Sequence, residues 1–258
     1  MDSTEILDTL RAAADAVVVA LSTFEGSGLS GERQTQYHLD IVADVAACGI
    51  LLGRGLAVFS EESGAQGSGD ITVVIDPVDG STNTDRGIPF SCISLCALDG
   101  QGPLVSLVRS LTTGVTYEAI RGTGARRDGV TIHASDQVDP AQAIVGVNGI
   151  LPGHQGWAQV RTMGAAALEI CLVAEGALDA YLQAGGASIH PWDYLAGLHI
   201  AEEAGAHVLS IDDEPLTVIE AVPRRPLVAG TKALALALAD TLRTHPHRPC
   251  PTVGDSGA

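Results

Sequence analysis

Residues 71–83 read ITVVIDPVDGSTN, and the architecture of the chain turns on them. The first half is an unbroken β-branched run, the pattern of a strand covered on both faces. It stops at Asp76, and a second acid, Asp79, follows across Pro77 and Val78. Strand ends in open sheets are where ligand sites form, and carboxylates there have no core to pack. Two acids this close repel each other, a divalent cation removes the repulsion, and hard oxygen donors favour Mg²⁺. Pro77 restricts the turn and helps to aim the Val78 carbonyl inward as a further oxygen. Gly80-Ser81-Thr82 offers backbone N–H groups and two hydroxyls, and a helix beginning there attracts an anion. Taken alone, DPVDGSTN reads at least as well as a solvated hairpin or Asx turn.

Working outward, two more acidic clusters sit at comparable places. Glu61-Glu62 follows a strand-like segment, Leu56 to Ser60, and Pro191-Trp192-Asp193 opens a helical pattern. Each has a plain structural reading: a solvated surface pair for Glu61-Glu62, a macrodipole-stabilised first-turn acid for Asp193. All three in this order point further. Metal-binding acids beside an anion cradle suit phosphate esters, and two-metal hydrolases hold their ions ~3.5–4 Å apart.

Around these clusters, apolar spacing predicts helices over 4–22 and 38–53, strands over 90–98, 103–109 and 114–120, and a polar loop over 63–70. GTGARRDGVTIHAS (122–135) reads as a hairpin about Asp128-Gly129. Beyond Asp139-Pro140, strands (144–148, 178–183, 206–210) alternate with helices (163–175, 191–204). The expected organisation is therefore an α+β half, residues 1–140, with the first two clusters, and an α/β half, 141–258, with the Trp-Asp cluster. A tail from about 244 is expected to fray.

Composition excludes several classes. Among 258 residues, 14 Lys and Arg stand against 31 Asp and Glu, a net charge of −17. Such a surface repels phosphate backbones, so no nucleic-acid partner is expected. No apolar stretch reaches the ~18 residues of a membrane span. The opening MDSTEILDTL lacks the basic start of a secretory signal. Five cysteines without a CxxC pair read as reduced buried thiols, so a cytoplasmic setting is expected. Cys92 and Cys96 share one strand face, which is core packing. The eight histidines read as structural or surface residues, with His190 beside Pro191-Trp192 placed to orient the site.

The chain resembles the inositol monophosphatase family, the Mg²⁺-dependent, lithium-sensitive sugar and cyclitol phosphatases. EESG (61–64) resembles the family's G-E-E-S/T motif, and DPVDGSTN (76–83) resembles D-P-I/L-D-G-T-x-N. GIPF (87–90), the 122–135 hairpin, RTMGAAALEICLVAEGALDAYL (161–182) and WDYLAGLHIAEEAGAHV (192–208) follow in the family's order. The resemblance spans about 40 to 210. It implies a layered α-β-α-β-α sandwich of the inositol monophosphatase / fructose-1,6-bisphosphatase type. It also implies hydrolysis of a small polyol phosphate monoester by metal-activated water, and a homodimer. Carried over residue by residue, Glu61, Asp76 and the Val78 carbonyl hold one Mg²⁺; Asp76, Asp79 and Asp193 hold a second; a third ion is left open. Glu61 and Ser81 are the implied catalytic pair that positions and deprotonates water. Gly80, Ser81 and Thr82 bind phosphate oxygens, and Asp193 and Gln183 contact substrate hydroxyls.

Three positions depart from the family pattern: Thr84-Asp85 after Asn83, Gln183 where an acid is usual, and the segment from His38 to Asp44, which keeps only its last acid. Alternatives within the superfamily are a nucleoside 3′,5′-bisphosphate, fructose 1,6-bisphosphate or histidinol phosphate as substrate. An aspartyl-phosphate mechanism needs one residue between its acids, and here there are two. A non-catalytic, metal-stabilised regulatory dimer is the reading of another class.

Overall fold

The computed structural model describes residues 1–32, 36–151, 153–185 and 189–244. Helix α1 (Ser3–Ser22) starts at Asp2, whose side chain accepts the N–H groups of Thr4 and Glu5, while Glu5 returns to the Asp2 N–H. This capping box satisfies donors that the first turn leaves unpaired. Ile6, Leu10, Ala13, Ala14 and Val17 form its buried stripe and pack with Ala43, Ala47 and Leu51 of α2 (His38–Gly53).

Both helices cover one face of an eight-stranded sheet. Its strands are β1 (Ala57–Ser60), β2 (Gly64–Gln66), β3 (Thr72–Asp79), β4 (Cys92–Asp99) and β5 (Gly102–Ser110), continued by β6 (Thr116–Ile120), β7 (Ala125–Arg127) and β8 (Val130–Thr131). The spatial order is β2-β1-β3-β4-β5-β6-β7-β8. A short helix, α3 (Ser81–Arg86), leaves the end of β3. Side chains alternate across the pleat, as strand geometry requires. Ile93, Leu95 and Ala97 of β4 face α1 and α2, whereas Cys92, Cys96 and Leu98 face the other way.

That second face meets α4 (Ala166–Ala174) and α5 (Pro191–Glu203), the middle layer of the molecule. Close approach is possible because small groups line the seam. A Cβ on Gly197 of α5 would lie 3.0 Å from the Ala167 carbonyl and from Ile170 of α4. On the sheet side, the Ser94 hydroxyl donates to the Trp192 carbonyl at 2.9 Å, and Ser106 hydrogen-bonds His199 Nδ1 at 2.8 Å. Burial pushes the His199 pKa down to about 4, so the imidazole is neutral at the helix–sheet contact.

A five-stranded sheet, ordered β10-β9-β11-β13-β12, backs the middle helices: β9 (Ile144–Asn148), β10 (Gln159–Arg161), β11 (Ala180–Gln183), β12 (His207–Ser210) and β13 (Pro226–Ala229). Helix α6 (Lys232–Thr244) closes its far side over Val145, Leu182 and Leu227. The layering is thus α-β-α-β-α, as the resemblance implies, with mixed sheets rather than purely parallel ones. Three features differ from expectation. Residues 63–70, read as a polar loop, contain β2, because Gly64–Gln66 can pair with β1 using backbone groups alone. The strand read as ending at Asp76 continues to Asp79. The elements β10, β13 and α6 were not foreseen. The expected frayed tail and Cys250 fall outside the described residues; the other four cysteines are free and buried.

Leu95→Ala should lower the unfolding free energy by about 2–5 kcal/mol in urea titrations, because a fully buried leucine between sheet and α1–α2 leaves a cavity.

Candidate active site

The extension of β3 through Asp79 solves a problem of parity. In a regular strand, residues three apart point to opposite faces. Opposite β4, however, Asp76 pairs with Ser94 and Asp79 with Cys92, so β3 spends one residue more than its partner over this interval. This β-bulge lies at Pro77-Val78, where proline has no N–H to give the ladder. The Asp76 carboxylate accepts the Val78 N–H at 2.9 Å, which fixes the bulge from within. Both aspartates therefore line one cleft of about 240 Å³.

Glu61 reaches the same place because β1 and β3 are adjacent and parallel, so their ends lie side by side; its N–H extends the ladder to the Ile75 carbonyl at 3.1 Å. Asp193 comes from the first turn of α5, where its carboxylate also accepts the His190 N–H at 2.5 Å. One carboxylate oxygen each from Glu61, Asp76 and Asp193 lies within 4.8 Å of the others. Asp79 lines the cleft too, with one oxygen turned away to accept the Ala167 N–H at 2.7 Å. That bond caps α4, whose own N-cap, Ala165, has no side chain able to do so.

Electrostatics follow from burial and crowding. Desolvation raises the pKa of Glu61, and the charges of Asp193, Glu62 and Asp40 raise it further. Asp76 goes well above the usual carboxylate range, through burial and then through Glu61, Asp79 and Asp193. Asp79 and Asp193 are raised mainly by burial, although the Ala167 and His190 N–H groups counteract it. Like charges desolvated together are costly unless a cation joins them. The donor set is all oxygen and converges from three chain segments, so it fits a hard divalent ion.

The Ser81 hydroxyl donates to the Val78 carbonyl at 2.8 Å. Gly80, Ser81 and Thr82 all line the cleft at the start of α3, and the Thr82 hydroxyl is 3.1 Å from that of Tyr37. Gly80 has φ +90°, and a Cβ there would lie 3.1 Å from the carbonyls of Gly164 and Phe90. Asn83 completes the clasp by donating to Phe90 and Met163 carbonyls, each at 2.8 Å. Gln183 is placed apart: fully buried at the end of β11, it donates to the Ala184 carbonyl and is not among the cleft-lining residues.

Sequence reasoning missed Asp40. It expected the early acidic position at His38, but His38 is exposed, whereas Asp40 is buried and lines the cleft. Burial lifts its pKa to about 6, against the opposing pull of the Tyr37 N–H and the Ser81 hydroxyl. Its signal was Asp40-Ile41-Val42, an acid two residues into the helix. Gln36 was also missed; its amide donates to Glu62 across the cleft mouth. The departure at Asp85 has a structural explanation, since its carboxylate accepts the Gly28 N–H at 2.7 Å and ties the preceding loop to α3.

Sandwich and cleft together define a phosphoric monoester hydrolase whose acidic cluster can hold a metal ion. The chain belongs to the inositol monophosphatase family, whose model matches residues 53–247. The fructose-1,6-bisphosphatase/inositol-1-monophosphatase of Archaeoglobus fulgidus is 37% identical over 183 residues, covering 69% of this chain and 71% of that protein. Inositol monophosphatase 1 of Bos taurus is 31% identical over 211 residues, covering 72% and 73%. The solved inositol monophosphatase from Anabaena (Nostoc) superposes with a TM-score of 0.78 at 25% identity, covering 93% of this chain and 96% of that one. Among the described residues, no helix is long and apolar enough to cross a membrane.

Carboxylates with raised pKa bind more protons folded than unfolded, so they lower stability as pH rises from about 4 through the raised values. The Tm of chelator-treated protein should therefore climb between pH 8 and pH 6. Asp193→Asn should flatten that slope, and added Mg²⁺ should raise Tm more at pH 8 than at pH 6. A second expectation concerns Gly80→Ala, which should cost about 1–2 kcal/mol from its left-handed backbone alone, measured by urea unfolding.

Proposed function

We propose that this chain hydrolyses small, hydroxyl-rich phosphate monoesters with Mg²⁺ as cofactor. The observation that carries the reading is the convergence of Glu61, Asp76 and Asp193 beside the Gly80–Thr82 backbone at the start of a helix. Glu61, Asp76 and the Val78 carbonyl would hold one ion, and Asp76, Asp79 and Asp193 a second. The Val78 carbonyl keeps a lone pair beyond the one that Ser81 uses, and Asp79 keeps a second oxygen beyond the one that Ala167 uses. Bound there, the ions supply charge neutralisation and Lewis acidity, most of what phosphoryl transfer requires.

The chain's own groups do the rest. N–H groups of Gly80, Ser81 and Thr82 receive phosphate oxygens. Glu61 takes the proton of the attacking water, and the Ser81 hydroxyl, held by the hydrogen bond it donates to the Val78 carbonyl, helps to orient that water through its free lone pairs. Asp193 accepts a hydrogen bond from the hydroxyl next to the ester. Among the described residues that line the cleft there is no Lys, Arg or His, which favours a substrate with one phosphate over one with two. The four buried free thiols support a reducing, cytoplasmic setting, and a homodimer belongs to the same reading. A second reading, a bisphosphate substrate, draws its support from the name of the Archaeoglobus fulgidus relative.

Phosphate release from inositol, sugar and histidinol monophosphates should exceed that from fructose 1,6-bisphosphate or a nucleoside 3′,5′-bisphosphate in kcat/KM. A bisphosphate at the top of this panel would favour the second reading. Asp79→Asn and Asp76→Asn should each lower kcat by about 10²-fold or more. Chelation should abolish turnover and Mg²⁺ restore it. Activity that survives exhaustive chelation would remove the metal from the reading.

A further inference from the structure

Glu169 is an acid placed where an apolar residue would ordinarily stand. It sits in the first turn of α4, 1% exposed, on a helix otherwise made of Ala, Leu, Ile, Cys and Val. One oxygen accepts two backbone N–H groups, those of Met163 and Gly164, at 3.0 Å each. Its other oxygen is buried with no hydrogen-bond partner among the described residues. Room for it exists because residue 146 is glycine: a Cβ there would come within 3.0 Å of that oxygen. Burial raises the carboxyl pKa to about 7, so the charged form is held at a cost.

What the cost secures is a turn. Met163 is gripped from both sides, its N–H by Glu169 and its carbonyl by Asn83 of α3. Gly164, with φ +84°, lines the cleft, and its carbonyl abuts Gly80. The turn is therefore a cleft wall pressed against the residues read above as the phosphate cradle, and Glu169 is its tether on the α4 side. Asn83 cannot replace that tether, because it holds the carbonyl and leaves both N–H groups unpaired.

We propose that Glu169 is a positioning residue: by fixing the Met163–Gly164 turn, it sets the shape of the cleft wall and thereby the affinity for substrate. It is not among the described residues that line the cleft, and the hydrogen bonds it accepts come from the Met163 and Gly164 backbone and not from the acids proposed to hold metal. Loosening the wall weakens ground state and transition state alike, so KM should move while kcat stays. This rests on the phosphatase reading only for the kinetic measurement.

The test uses the full chain with Mg²⁺, the monoester that gives highest turnover in the panel above, and three variants. Glu169→Ala should raise KM about tenfold with kcat within about threefold of wild type. Glu169→Gln, whose amide oxygen still accepts both N–H groups, should recover most of that loss. Leu238→Ala, in α6 and far from the cleft, controls for general destabilisation and should leave KM unchanged at a temperature where it is fully folded. Independently of any substrate, amide hydrogen exchange over 160–166 should quicken in Glu169→Ala and not in Glu169→Gln. Unchanged exchange there in Glu169→Ala would overturn the proposal whatever the substrate. So would an unchanged KM, or a KM that rises equally in Leu238→Ala.

Discussion

Four carboxylates held in one poorly solvated cleft repel each other, and most of the local architecture exists to hold them there anyway. Glu61, Asp76, Asp79 and Asp193 come from the end of one strand, a bulge in the next and the first turn of a helix more than a hundred residues later. Burial and mutual charge raise their pKa values. Such a cluster can stay charged near neutral pH only with a cation, because no Lys, Arg or His among the described cleft-lining residues offsets the charge.

The rigidity needed for this comes from backbone rather than from large side chains. With few aromatics, the chain packs helix against sheet through Gly, Ala, Ser and Cys, and these small residues let α4 and α5 approach closely. Short polar tethers then fix direction. Ser94 holds the first turn of α5 through the Trp192 carbonyl, one residue before Asp193. Phe59 and His190 flank the same tryptophan, with His190 stacked on it at 4.9 Å between centroids. His190 thus orients the start of α5 without entering the cleft lining, as its place beside Pro191-Trp192 suggested.

Asp79 joins the eight-stranded sheet to the middle helix layer. One oxygen caps α4 while the residue as a whole faces the cleft, so the helix terminus and the acid cluster share a single side chain. The partial positive charge at the start of α4 acts on one oxygen of that carboxylate, and the other oxygen would be left for the proposed cation. A position of this kind serves two demands, since Asn would keep an acceptor for the cap but remove the charge. The clasp of Gly80, Asn83 and Gly164 reinforces the same junction from α3.

Strands, helices and the three acidic clusters were legible along the chain, because periodicity, turn residues and acids at strand ends are local signals. Asp76, Asp79, Glu61 and Asp193 could be named that way, together with the glycine and hydroxyls after Asp79. The bulge could not, since an extra residue is defined only against the partner strand that it fails to match. Asp40 and Gln36 escaped for the same reason: an acid early in a helix and an amide in a loop acquire meaning only when folding sets them opposite Ser81 and Glu62. Gln183 is the reverse case: it matches by position, and its buried side chain is not among the described residues that line the cleft. One-dimensional pattern reports which residues have no reason to be in a core; which of them face one another depends on strand parity and helix placement, quantities that exist only between segments.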